Sequence, residues 1–166
     1  MKRFAITLML TVGAAGLYAQ NLNMSLSGTA APSTINLGVG LGTSEYTLDG
    51  NGVSLRLISA SAPSAQPPAG CTTPVFGVVL AGEGVFRFAD GSLLKANVTG
   101  GSDCVNPVAG EALCIRNLEI TGGTGRFKNA SGTVTVTMNL SVVVNGNFNM
   151  FTDTAEVTGK INQNGQ

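Results

Sequence analysis

An all-β fold is what this sequence predicts, and three observations predict it. Apolar and polar residues alternate with a period of two in one short segment after another. Gly- and Asn-rich turns separate these segments, Asp90-Gly91 and Asn145-Gly146 being the clearest. No stretch of the chain after Ala19 carries a convincing helical period. Eight or nine antiparallel strands in one domain leave a β-sandwich or a β-barrel. Glycine kinks and long strands favour closure into a single antiparallel barrel of about eight strands, because closure removes exposed sheet edges.

The chain opens with a basic start, Met1-Lys2-Arg3, an uncharged apolar run from Phe4 to Leu17, and a Tyr18-Ala19 boundary before polar Gln20-Asn21. That is the pattern of a secretory signal, with cleavage expected after Ala19. The run falls short of the roughly 20 apolar residues needed to span a bilayer, so no membrane span is expected after processing. The expected location is secreted or periplasmic. Removing residues 1–19 from the 166 leaves 147, one domain over residues 20–166. The remaining seven basic and nine acidic residues give a net charge of −2. The basic residues are scattered, which argues against a nucleic-acid partner.

Leu22, Met24 and Leu26 alternate with polar neighbours, as do Val53, Leu55 and Leu57. Val75 to Leu80 is almost continuously apolar and reads as a strand buried on both faces. Val85 to Ala89, Leu93 to Val98, Ala112 to Thr121, Thr133 to Val144 and Phe148 to Ile161 complete the set. Face matching fixes two hairpin registers. A three-residue loop, Ala89-Asp90-Gly91, pairs Phe86 with Leu94 and keeps the apolar sets on one face, with Arg87 and Lys95 on the other. A matching loop, Val144-Asn145-Gly146, pairs Val142 with Phe148, Leu140 with Met150 and Met138 with Thr152. Beyond Met150 the apolar parity shifts to Phe151, Ala155, Val157 and Ile161, which calls for a bulge near Met150-Phe151. Ser59 to Gly70, with three prolines, reads as a long exposed loop.

The cysteines are Cys71, Cys104 and Cys114. Cys104 and Cys114 flank a turn-rich stretch and are the expected disulfide, leaving Cys71 over. With no His and no Cys-x-x-Cys pair, neither a metal site nor a cofactor is expected. The missing His also removes the commonest general base and every Ser–His or Cys–His arrangement, which points away from an enzyme. Asp49 and Asp90 sit in Gly turns, and Asp103 and Glu111 lie around the expected disulfide. Arg116 and Glu119 share a strand, and either could face a barrel lumen as a polar handle.

The most distinctive segment runs from Ile120 to Gly132, with three glycines in Gly122–Gly125 ahead of Arg126-Phe127. A P-loop would need Lys-Ser/Thr and a helix after its last Gly, and here a strand follows. The physical reading is a chain reversal in which Phe127 and Ala130 plug the barrel end and Gly132 opens the next strand. Gly122 to Gly132 resembles the G-G-T-G-[KR]-F-x-x-A-x-G signature of dirigent proteins and allene oxide cyclase-like barrels, seen also in uncharacterised bacterial exported proteins. The preceding Val85 to Ser92 is similar to the bacterial set as well. The resemblance implies an eight-stranded barrel with an apolar lumen, often a homo-oligomer, and carries no site residue across.

Three functions remain open. The first is binding of an apolar small molecule in a lumen lined by Phe86, Phe88, Leu94, Val134, Val136, Met138 and Leu140, with Arg116 and Glu119 as polar candidates. The second is a structural or surface-interaction protein with a solid core. The third is a dirigent- or cyclase-like isomerase, which would need buried charged residues close together.

Overall fold

The computed structural model describes residues 17–38, 40–144 and 150–164. In it, eight antiparallel strands close in chain order into one barrel. They are β1 (Leu17–Pro32), β2 (Gly42–Gly50), β3 (Val53–Pro63), β4 (Val75–Phe88), β5 (Leu93–Asn106), β6 (Glu111–Gly123), β7 (Ser131–Val144) and β8 (Met150–Asn164). β8 returns to pair with β1 along almost its whole length, Leu17 opposite Asn164 through Ala30 opposite Phe151. Residues 1–16 of the expected signal segment lie outside the described residues, and β1 starts three residues ahead of the expected mature start.

Alternation supplies the core. Leu22, Met24 and Leu26 on β1, Leu55 and Leu57 on β3, and Val134, Val136 and Met138 on β7 all point inward and join one apolar cluster. One end of the barrel, the plug end, carries the tight connections. Asn51-Gly52 turns β2 into β3 with both residues at positive φ. Ala89-Asp90-Gly91 turns β4 into β5, with Gly91 at φ 81 where a side chain would be strained. Phe88 and Ser92 close that loop, and Phe86 stands opposite Leu94 as face matching requires. The other end, the loop end, carries the longer connections.

The glycine segment forms the plug. Gly125–Phe127 is a short 3-10 turn, and Phe127 is buried with its ring centroid 4.6 Å from that of Phe88. Gly125 sits at φ 57 against Ser92, so a side chain there would collide as well as strain. Ala130 is buried, and β7 starts at Ser131 with Gly132 as its second residue.

Several expectations are corrected. β2 is a strand that alternation did not reveal, while Val75–Leu80 and Val85–Phe88 are one strand, β4. Val75, Val78 and Leu80 are exposed, so only one face of that stretch is buried. β3 runs on through Ser59 to Pro63, and the loop starts at Ser64. In the β7–β8 pair Leu140 faces Asp153, Met138 faces Ala155 and Val142 faces Phe151. Asn145, Gly146 and Phe148 lie outside the described residues, and the irregularity falls at Val143 in β7 rather than at Met150. One extra residue on that side of the pair is enough to move the inward set of β8 onto odd numbers.

Candidate functional site

Among the described residues, buried polarity gathers in the loop-end half of the lumen. β6 sends Cys114, Arg116, Leu118 and Ile120 inward on alternate positions. Arg116 therefore shares a face with apolar neighbours and is only 1% exposed. Its charge is met from β2, β3 and β5 and from its own strand. Nε donates to Ser59 Oγ at 2.8 Å, and Nη2 donates to the Tyr46 hydroxyl at 2.6 Å. Nη1 donates to the carbonyls of Ile115 (3.0 Å) and Ser102 (3.3 Å) and lies 2.7 Å from Asp103 Oδ1. The last contact is an ion pair without an aligned hydrogen bond.

Asp103 reaches the lumen through a bulge. Up to Val98, β5 faces even-numbered residues inward, opposite Leu118 and Ile120. Thr99 is the extra residue between the pairs Val98–Leu118 and Gly100–Asn117, after which Gly101 and Asp103 stand opposite Arg116 and Cys114. The facing of β5 is thus reversed beyond Thr99.

The same register overturns the expected disulfide. Cys104 stands opposite Leu113, on the outer face, and Cys114 opposite Asp103, on the inner one. Residues directly opposite share a face, so Cys104 and Cys114 point to opposite sides of the sheet and cannot bridge. Cys104 bonds instead to Cys71, with 5.7 Å between Cα atoms, tying the β3–β4 loop to β5. Cys114 is the free thiol, buried beside Asp103.

Asp153 completes the cluster from β8. It is 2% exposed, and neither carboxylate oxygen has a hydrogen-bond partner. Burial raises its pKa to about 7, the Arg116 charge pulling the other way. Burial likewise pushes the Tyr46 hydroxyl and the Cys114 thiol up, so both stay protonated at neutral pH. Burial lowers the pKa of Arg116, but Tyr46, Asp103 and Cys114 outweigh it, and the guanidinium keeps its charge.

The predicted lumen residues divide. Phe86, Phe88, Leu94, Val134, Val136, Met138 and Leu140 all face inward and pack in the apolar cluster. Arg116 is inward, whereas Glu119, three positions on, is exposed on the outer face. Tyr46, Ser59, Asp103, Cys114 and Asp153 are additions. The alternation Phe151, Ala155, Val157 was the signal for Asp153, since position 153 lies on the same face.

At the loop end, a cleft of about 440 Å³ opens on the outer face of the barrel, between the disulfide loop and β6–β7. Thr72, Thr73 and Cys104 form one wall, and Leu113 and Asn139 lie in the other. Leu140, the cross-strand partner of Asp153, points the other way, into the lumen. Compared with known proteins, the sequence matches no family model, and no curated protein matches it.

Proposed function

We propose that this is an exported, disulfide-stapled barrel that holds a small amphipathic molecule at the loop end of its lumen. The observation that carries this reading is Asp153, a carboxylate buried in the loop-end half of the lumen with both oxygens unpartnered. Buried polar groups are nearly always satisfied, and a buried, perturbed acid without partners inside a barrel lumen is a functional-site candidate. The basic and apolar leader and the Cys71–Cys104 bond support export, since disulfides persist in oxidising compartments. The likeness of Gly122–Gly132 to the dirigent and allene oxide cyclase-like signature supports a shared barrel scaffold, whose chemistry varies with the lumen. A lumen isomerase would use the same cluster, and turnover of the captured molecule separates binding from catalysis. Native mass spectrometry of the secreted protein tests the proposal. A small-molecule adduct lost in Asp153→Asn is expected, and adduct-free spectra of protein that also takes up no apolar probe would refute it.

A solid-core, structural reading has its own support, because Phe86, Leu94, Val136 and Met138 are 0% exposed. Met138→Trp distinguishes the two. In a filled lumen the larger ring overpacks and costs about 1–3 kcal/mol. A chamber that opens for a ligand accommodates the ring at little cost in stability, and the variant loses probe uptake.

A further inference from the structure

We infer that the molecule held at the loop end carries a hydrogen-bond donor head, an alcohol or an amine, seated on Asp153 rather than an acidic head seated on Arg116. The inference rests on the binding reading above and follows from which hydrogen-bonding positions are already occupied. A guanidinium has five N–H donors. Arg116 commits four of them, Nε to Ser59, one Nη2 hydrogen to Tyr46, and Nη1 to two backbone carbonyls beside Asp103. Its charge is already matched by a carboxylate at 2.7 Å. A carboxylate ligand would find one Nη2 hydrogen open rather than a two-donor fork, and would add negative charge close to Asp153.

Asp153 is in the opposite condition. Its two oxygens accept nothing, and unlike Asp103 Oδ1, which also lacks an aligned hydrogen bond, they have no ion-pair partner within contact distance among the described residues. A carboxylate can accept about four hydrogen bonds, so the missing complement is a donor. Access is short, because Asp153 stands three residues from the loop-end start of β8 at Met150. Between it and the mouth, the inward residues Ala112 and Phe151 are only partly buried. Small residues continue around this half of the lumen, with Ala155 two positions along β8 and Gly28 opposite Asp153 on β1. The apolar body of such a molecule would lie at the loop-end mouth against Ala112 and Phe151, with its head directed inward past Leu140.

Three eight-carbon probes that differ only in the head, 1-octylamine, 1-octanol and octanoate, test this by calorimetry on the disulfide-intact protein at pH 8. The amine and the alcohol are expected to bind at least about tenfold more tightly than octanoate. Asp153→Asn, nearly isosteric, is expected to erase the amine's advantage. In wild-type protein the Asp153 carboxyl carbon resonance should move on adding octylamine and stay in place with octanoate. This second measurement needs no variant. Octanoate binding as tightly as octylamine would overturn the donor inference and leave the binding reading intact. If none of the three binds, both fall.

Discussion

At the plug end the lumen is closed by Phe127 stacked near Phe88, with Leu48, Leu55, Leu94 and Ile161 fully buried along the barrel wall. At the loop end Tyr46, Ser59, Asp103, Cys114, Arg116 and Asp153 point inward among apolar Ala30, Val79 and Leu140. The first half is held by apolar burial, which is non-directional and tolerant of reshaping. The second is held by an ion pair and side-chain hydrogen bonds, each of which fails if one partner is lost. A chain of this size does not need buried charge for stability, and buried pairs are weak evidence for it. The contrast therefore teaches where to look for function, which is the half whose composition folding alone does not explain.

Substitutions that break one half at a time sharpen the contrast. The largest loss is expected for Arg116→Ala, about 3–5 kcal/mol in denaturant melts, because it strands Asp103 and unpairs Tyr46 and Ser59 together. Asp103→Ala added to it should recover part of that loss, and a fully additive double variant would contradict the pairing. At the plug end, Phe127→Ala should cost about 3 kcal/mol through the cavity it leaves, with no dependence on pH.

The pH dependence belongs to the other half. Below about pH 4, Asp153 is protonated whether the chain is folded or not, and its contribution is fully present. As pH rises the unfolded chain loses that proton first, since the folded pKa is raised to about 7. Stability therefore falls between about pH 4 and 7 and levels off above, by about 2–4 kcal/mol. Melts of Asp153→Asn, compared with wild type across that range, should show the Asp153 component gone. A wild type and variant with parallel profiles would remove Asp153 from the account. The smallest effect is chemical. Burial raises the Cys114 thiol, so a thiol reagent at pH 8 should label no cysteine until the chain unfolds, and the peptide map should link Cys71 to Cys104.

The plug half was the more legible in the sequence. Phe86 and Leu94 were placed opposite each other because only a three-residue loop keeps Phe86, Phe88, Leu94 and Ala96 on one face. The Phe127 and Ala130 plug followed from glycines that reverse the chain ahead of them. The loop half was obscured by bulges. Val144 pairs with Met150 instead of lying in a three-residue loop, and Val143 shifts the register by one residue, so extrapolation from Asn145-Gly146 misaligned Leu140 and Met138 by three. The Cys104–Cys114 expectation failed because proximity in sequence was read without the register that puts the two on opposite faces. β2 escaped notice since Tyr46 and Leu48 are its only large inward apolar residues. Its absence and the splitting of β4 cancelled, so the expected count of about eight was reached with partly wrong members. Arg116 and Glu119 were separable from the start, because residues three apart on a regular strand cannot share a face.

Thr99 gives the bulge in β5 a meaning beyond geometry. With that residue bulged out of the ladder, Asp103 looks into the barrel and Cys104 looks out toward Cys71. Were Thr99 to take the place opposite Asn117 instead, every later residue of β5 would move one place along β6, and the acid and the cysteine would exchange faces. The ion pair inside and the covalent staple outside are thus set by one unpaired residue. Which letters of this strand are interior is decided by where the ladder leaves a residue out, with no substitution at any position that lines the lumen.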